Sequence, residues 1–278
     1  MKIALIQQPA GPDRQANLAR GLSAARRAAA RGARIIGFAE LAFERFHPQV
    51  PAGPGFADLA ETIPGPVTEA FCALAAETGT VIVPNMFERA SPGGPCFDTS
   101  PVIDADGSIL GLVRMVHITE YEFFHEQGYY APGNRGAPVF TTRHGRIGVA
   151  ICYDRHYPEY MRALAVAGAE LVIVPQAGSV GEWPDGLYEA EMQVAAFQNG
   201  YFTALCNRVG REENLVFAGE SFVCGPDGRV LARAGSGTEE ILECEVDLAE
   251  VAGSHARKLF LRDRRPDLYP GWLGPQAG

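Results

Sequence analysis

Lysine is almost missing from this sequence. Of 24 basic residues only Lys2 and Lys258 are lysines, and the arginines are scattered, so no concentrated basic face is expected. With a net charge of −9 and a pI near 5.2, that distribution excludes a nucleic-acid groove. No apolar run reaches the roughly 18 residues that suggest a membrane-spanning helix. The N-terminus enters Lys2-Ile3-Ala4-Leu5-Ile6 without the pattern of a secretory signal. Among the six cysteines there is no C-x-x-C and no paired histidine spacing, which argues against structural zinc. Cys152, Cys206, Cys224 and Cys244 sit in apolar runs, as free thiols of a reducing compartment do. The expectation is a cytoplasmic protein with no nucleic-acid or membrane partner and no bound metal. Cofactor signatures are missing too. There is no Walker loop, no G-x-G-x-x-G after a strand and no G-x-S-x-G elbow, so no nucleotide cofactor and no serine hydrolase are indicated.

What is present suits one globular domain. Hydrophobic residues make up 47% and charged residues 21% of 278, enough for a sizeable core without disulfides. Strand-like and helix-like segments alternate. Strands are expected at 2–7, 33–39, 80–86, 146–151, 171–175 and 201–206. Helices are expected at 15–31, 67–78, 158–167 and 187–199, with Gly32 and Gly79 ending the first two. Residues 100–114 and 221–234 each place β-prone residues around an Asp-Gly turn, a hairpin signal. This pattern predicts a mixed sheet covered by helices, followed by an extended arm from about Leu261 to the C-terminus.

The sharpest local signal is the run from Gly145 to Glu159. An apolar strand ends at Cys152, a short turn follows, and Pro158 with Glu159 opens a helix. Ligands gather at the carboxyl ends of strands in α/β sheets, and exposed N–H groups there favour a thiolate or an oxyanion. The plainer alternative is a buried cysteine that happens to end a strand. A cysteine nucleophile needs a base, and Glu40 closes the strand Ile35–Ala39. Glu40 could equally be a solvated residue at a loop entrance. His117, His125 and His156 read as hydrogen-bonded structural residues. Arg155 suits either a substrate-binding fork or an ion pair.

These segments resemble the nitrilase superfamily, the carbon–nitrogen hydrolases. Ile151 through Glu159 (ICYDRHYPE) is similar to that family's nucleophile segment, Ala39-Glu40-Leu41 to its base motif, and Glu126 through Gly133 (EQGYYAPG) to its supporting-glutamate loop. Asn207-Arg208-Val209-Gly210 and the segment Phe260–Tyr269 are similar to the N-carbamoyl-amine amidohydrolase and β-ureidopropionase branches. The resemblance implies a four-layer α-β-β-α sandwich and hydrolysis of a small amide or N-carbamoyl amine through a cysteine thioester. It assigns Cys152 as nucleophile, Glu40 as general base, Glu126 as supporting carboxylate and the Tyr153 N–H as an oxyanion donor. It also implies a homodimer or larger homo-oligomer.

One residue departs from the family pattern. The catalytic lysine of an Arg-Lys-x-His-Ile segment is replaced in Arg114-Met115-Val116-His117-Ile118. A thioether carries no charge and no strong donor. Either Arg114 substitutes for the lysine, or the site belongs to an impaired or non-catalytic ligand-binding relative, or the methionine is a mutation introduced to trap a bound species. Tyr129, Tyr130, Trp183 and Tyr188 are further candidates to line a pocket.

Overall fold

The computed structural model describes residues 1–273, except for the side chain of Trp272. The end of the expected arm, residues 274–278, lies outside the described residues. The first half of the chain runs β1 (Lys2–Gln7), α1 (Arg14–Ala30), β2 (Ala33–Phe38), α2 (Pro66–Thr78), β3 (Val81–Val83), β4 (Met86–Arg89), β5 (Cys96–Ile103) and β6 (Ile109–Arg114). A small hairpin, β7 (Glu120–Tyr121) and β8 (Phe124–His125), leads on to β9 (Val139–Thr142) and β10 (Gly145–Val149). There follow α3 (Pro158–Val166), β11 (Leu171–Gln176), α4 (Leu187–Asn199), β12 (Phe202–Asn207), β13 (Val209–Arg211) and β14 (Val216–Ala218). The chain closes with β15 (Phe222–Cys224), β16 (Val230–Arg233), β17 (Glu240–Glu245), α5 (Glu250–Gly253) and α6 (Tyr269–Leu273).

Local chemistry sets the ends of these elements. The Asp13 carboxylate caps α1 by accepting from the N–H groups of Gln15 and Ala16 at 2.9 and 3.1 Å. Arg31 rather than Gly32 is the residue that ends this helix. Gly79, in the left-handed region, ends α2. Both Asp-Gly segments form the expected hairpins, β5–β6 and β15–β16. Each carries a register shift, next to Val102 and Val223. The single strand expected at 80–86 is instead β3 and β4, separated around Pro84, because proline cannot donate to a sheet ladder.

Two large sheets result, ordered β17-β1-β2-β3-β5-β4 with β6 paired to β5, and β16-β15-β12-β11-β10-β9, beside the two-stranded pairs β13–β14 and β7–β8. α1 and α2 cover the first and α3 and α4 the second, which makes the four-layer α-β-β-α sandwich. The sheets meet closely. A Cβ on Gly37 would come within 3.1 Å of Ile173 and of Leu5. Across the same seam the Cys206 thiol donates to the Ile6 carbonyl at 3.3 Å. In each sheet the central strands are parallel: β1, β2 and β3 in one, β10, β11 and β12 in the other. The carboxyl ends of β2, β10, β11 and β12 lead into Glu40, Cys152, Gln176 and Arg208. The Glu40 and Arg208 N–H groups both donate to the Gln176 carbonyl, at 3.4 and 3.1 Å, which ties the two sheets together at that end.

The described part of the tail is not extended. Ala256–Phe260 forms a wide helical turn, turns follow, and α6 closes the described chain. Phe260, Arg264 and Tyr269 line one cavity with Arg162 and Val166 of α3. The tightness of the intersheet seam is testable. Gly37→Leu overpacks it, a class of change that costs about 1–3 kcal/mol. Urea unfolding should show a lower midpoint than the parent, and an unchanged midpoint would contradict the packing described.

Candidate active site

Cys152 follows β10 and starts a short 3-10 turn, Cys152–His156, with its own φ at +43°. Leu41, next to Glu40, also has a positive φ, +44°. Side chains with a Cβ adopt this region at a cost of about 1–3 kcal/mol, borne only where the surroundings enforce it. For Cys152 the enforcement includes Arg155, whose Nη1 donates to the Cys152 carbonyl at 3.2 Å. Cys152 as a whole is 5% exposed, and its sulfur receives a hydrogen bond from Gln176 Nε2 at 3.3 Å.

Against this sulfur stand two carboxyl groups. Donor atoms of Glu40, Glu126 and Cys152 all lie within 4.8 Å of one another. Both glutamates are fully buried. Glu126 Oε2 accepts from the Thr119 N–H at 3.3 Å, whereas Glu126 Oε1 and both oxygens of Glu40 have no hydrogen-bond donor. Burial, then the charge of Glu126, pushes the Glu40 carboxyl up to about 8, against the lowering influence of Cys152, Asp98 and Arg208. Burial and Asp98 hold Glu126 well above the ordinary carboxyl range. Burial, with Glu40 and Glu126 nearby, raises the Cys152 thiol, and Arg155 opposes this. The resting site is therefore proton-rich, a neutral thiol among partly protonated acids.

Position 115 offers no charge. Met115 is fully buried, and its N–H donates to the Asp98 carbonyl at 2.9 Å. Arg114 is engaged elsewhere. Its guanidinium forks onto Glu88 at 2.8 and 2.5 Å, donates to Asn134 and lies 3.9 Å over the Phe97 ring. A buried bidentate pair of this kind is not free to swing. The cations that act on the trio are Arg155 and Arg208. Arg155 is buried, stacks 4.5 Å over Tyr188 and faces Glu191 at 3.5 Å, so its ion pair is internal and not on the surface.

The histidines are structural in their contacts. His117 bonds Asp154 at 2.7 Å and stacks on Tyr157, His125 bonds Glu120, and His156 bonds Glu191 at 2.6 Å. The four aromatic residues divide. Tyr129 and Tyr130 are buried among the core residues, while Trp183 and Tyr188 line a cavity of about 400 Å³ with Ser179 and Asn207. Cys152 does not line that cavity. The link between them is Tyr188, which also lies against Arg155. Near the same wall, Glu182 accepts from Tyr121 at 2.5 Å, from Tyr188 at 2.6 Å and from the Ser179 N–H at 2.9 Å.

Residues 2–255 match the family model described as Carbon-nitrogen hydrolase. The chain is 35% identical over 281 residues to an N-carbamoylputrescine amidase of Solanum lycopersicum, covering 96% of this chain and 93% of that one. The chain belongs to the carbon–nitrogen hydrolase family. It is also 33% identical to a citrullinase of Francisella tularensis, covering 97% of this chain and 96% of the relative. Among solved structures, a carbon-nitrogen hydrolase from Helicobacter pylori G27 superposes with a TM-score of 0.90 at 30% identity, covering 98% of this chain and 99% of that one. A glutamate-to-glutamine mutant of the amidase from Nesterenkonia sp. AN1, showing Michael addition of acrylamide at its active site cysteine, superposes at 0.82 with 29% identity, covering 98% and 99%.

In this carbon–nitrogen hydrolase, reasoning from sequence missed several residues around the trio. Gln176 stands at a strand end but carries no motif. Arg208 was visible only as part of Asn207–Gly210. It is fully buried, donates to the carbonyls of Glu40, Leu41 and Glu44, and pairs with Glu212, so it braces the Glu40 loop through its backbone. Asp98 was hidden inside a segment notable only for its hairpin.

The raised Glu40 carboxyl has a consequence for stability. Between about pH 4.5 and 8 the folded protein holds a proton there that the unfolded chain has released, so this group lowers stability as pH rises. Glutamine at position 40 does not titrate. Glu40→Gln should therefore be more stable than the parent at pH 8, with the gap closing towards pH 5. A gap that is constant with pH, measured by denaturant titration, would contradict the raised carboxyl.

Proposed function

We propose that this protein hydrolyses small N-carbamoyl amines or amides through a thioester on Cys152. The observation that carries this reading is the convergence of Cys152 with two buried carboxyls at the carboxyl ends of parallel strands drawn from both sheets. Glu40 is the general base. A carboxyl near 8 is matched to proton transfer at neutral pH. As the C–S bond forms at the substrate carbonyl, the thiol proton passes to Glu40, and the Tyr153 N–H and Gln176 amide are the candidate donors to the oxyanion. When the tetrahedral centre collapses the C–N bond breaks, and the departing nitrogen takes the proton from Glu40. Glu40 then removes a proton from water as it attacks the thioester, and the sulfur leaves to recover that proton. Glu126 holds the other side of the trio in place.

Two observations narrow the substrate. The relatives named above include an N-carbamoylputrescine amidase and a citrullinase, which supports a carbamoyl group at the reacting end. Glu182, held by two tyrosines and an N–H, offers a carboxylate beside the cavity for a cationic group at the far end. Arg155 stacks on Tyr188, one of the residues that line this cavity. No helix among the described residues is long and apolar enough to cross a membrane. Val166, Val194, Phe197 and Phe260 expose apolar surface on α3, α4 and the tail, which supports a homodimer or larger homo-oligomer.

Met115 favours a second reading, an impaired hydrolase or ligand-binding relative on the same scaffold. The test is ammonia release from a panel of carbamoyl amines and neutral amides. The parent should release ammonia, fastest from carbamoyl amines with a free ammonium, and Cys152→Ala should abolish it. Equal release by Cys152→Ala would rule out the thioester route. A parent inactive on the whole panel, with a gain of about 10²-fold or more in Met115→Lys, on the scale of one restored oxyanion donor, would establish the second reading.

A further inference from the structure

Asp98 is a charged side chain in the middle of β5, a strand buried along its whole length. Its surroundings assign its two oxygens different roles. Asn85 Oδ1 accepts from the Leu41 N–H at 2.7 Å, which fixes the orientation of the Asn85 amide. The Asn85 NH₂ group therefore points at Asp98 Oδ1, 2.6 Å away, and at Ser100 Oγ at 3.1 Å. Asp98 Oδ1 is thus an acceptor. Asp98 Oδ2 has no hydrogen-bond partner, and neither has either oxygen of Glu40; Asn85, bonded both to the Leu41 N–H and to Asp98, sets the two carboxyls side by side, and the Glu40 charge raises the Asp98 carboxyl. Two bare carboxylates in contact repel. One proton on Asp98 Oδ2 turns the same contact into a hydrogen bond and satisfies both groups.

The position is informative. Thr99 pairs with Arg114 across β5 and β6, and the Met115 N–H bonds the Asp98 carbonyl, so Asp98 and Met115 are adjacent on neighbouring strands. An ammonium at 115 would neutralise the carboxylates without a proton, whereas a thioether cannot. We propose that Asp98 is a positioning residue for Glu40: as the neutral acid, it donates from Oδ2 to the Glu40 carboxylate, and its proton removes a charge that no ammonium at 115 neutralises. The inference rests on Glu40 being the base in the reading above. During turnover the thiol proton goes to Glu40, while the Asp98 proton stays on Oδ2. The other ionisable groups that bear on the pair are Glu126, Cys152, Asp154, Tyr130 and Arg208.

The test reads the thiol and needs no turnover, so it separates this claim from the hydrolase reading. The rate at which iodoacetamide alkylates Cys152 in the full-length protein is followed against pH, in the parent and in Asp98→Asn. Asparagine can keep the bond to Glu40 but carries no titrating proton. The expected result is one ionisation step fewer in Asp98→Asn than in the parent. A profile scaled in rate but with the same steps at the same pH, as a purely structural role predicts, would overturn the proposal. Should Asp98→Asn not fold, infrared spectra of the parent labelled with isotopic aspartate decide the matter. A neutral-acid carbonyl band at neutral pH supports the proposal, and only carboxylate bands would overturn it. Asp154, held by His117 and by the N–H groups of Val116 and His117, is also raised by burial, so the band is assigned to Asp98 only where it persists in Asp154→Asn, and its loss there would overturn the proposal.

Discussion

Three carboxyl groups and a thiol, packed together out of water with no ammonium among them, cannot all be ionised. At a separation of about 4 Å, two unit charges repel by about 4 kcal/mol even at an effective dielectric constant of 20. The cluster formed by Glu40, Asp98, Glu126 and Cys152 must therefore retain protons at neutral pH, and this is visible in its unpaired oxygens. Proton retention keeps the thiol neutral at rest and leaves the carboxyl of Glu40 close to the pH at which the proposed base would both accept and release a proton. In the proposed chemistry the thiolate is formed together with the C–S bond rather than stored beforehand.

The fold exists around that cluster in a specific sense. Two sheets, each with parallel central strands, are pressed face to face so that their carboxyl ends share one region. Gly37 permits the close approach, and the Gln176 carbonyl receives N–H groups from the Glu40 and Arg208 segments. Arg208 spends its guanidinium on backbone carbonyls of the Glu40 loop and on Glu212, so its charge braces the loop while remaining close enough to act on Glu40. Asn85 links the same loop to β5 by bonding both the Leu41 N–H and Asp98. Strained backbone at Leu41 and Cys152 is held by these contacts.

Much of this was readable from sequence, for identifiable reasons. An apolar run ending in Cys152 and then Pro158 announces a strand, a turn and a helix. Ile35–Phe38 running into Glu40 announces a second strand end. The two Asp-Gly turns announce hairpins, and all of these are local signals. What escaped notice depends on pairing between distant segments. Arg114 precedes the lysine position and looks available, yet the β4–β5–β6 ladder places Glu88 beside it. Asp98 and Gln176 acquire meaning only when β5 and β11 are set against the Glu40 loop. The tail reads as extended because its prolines and charges suppress helical periodicity, yet it folds back on α3 through Phe260 and Tyr269.

The most direct measurement concerns the covalent intermediate. The parent is mixed with a small N-carbamoyl amine, quenched in acid at successive times during turnover and examined by intact-mass and peptide mass spectrometry. An acyl adduct should appear on the peptide that contains Cys152, be lacking in Cys152→Ala, and form far more slowly in Glu40→Gln, which has no base for the thiol proton. Substrate turnover by the parent with no adduct on that peptide at any quench time, or with an adduct on another cysteine, would contradict the account.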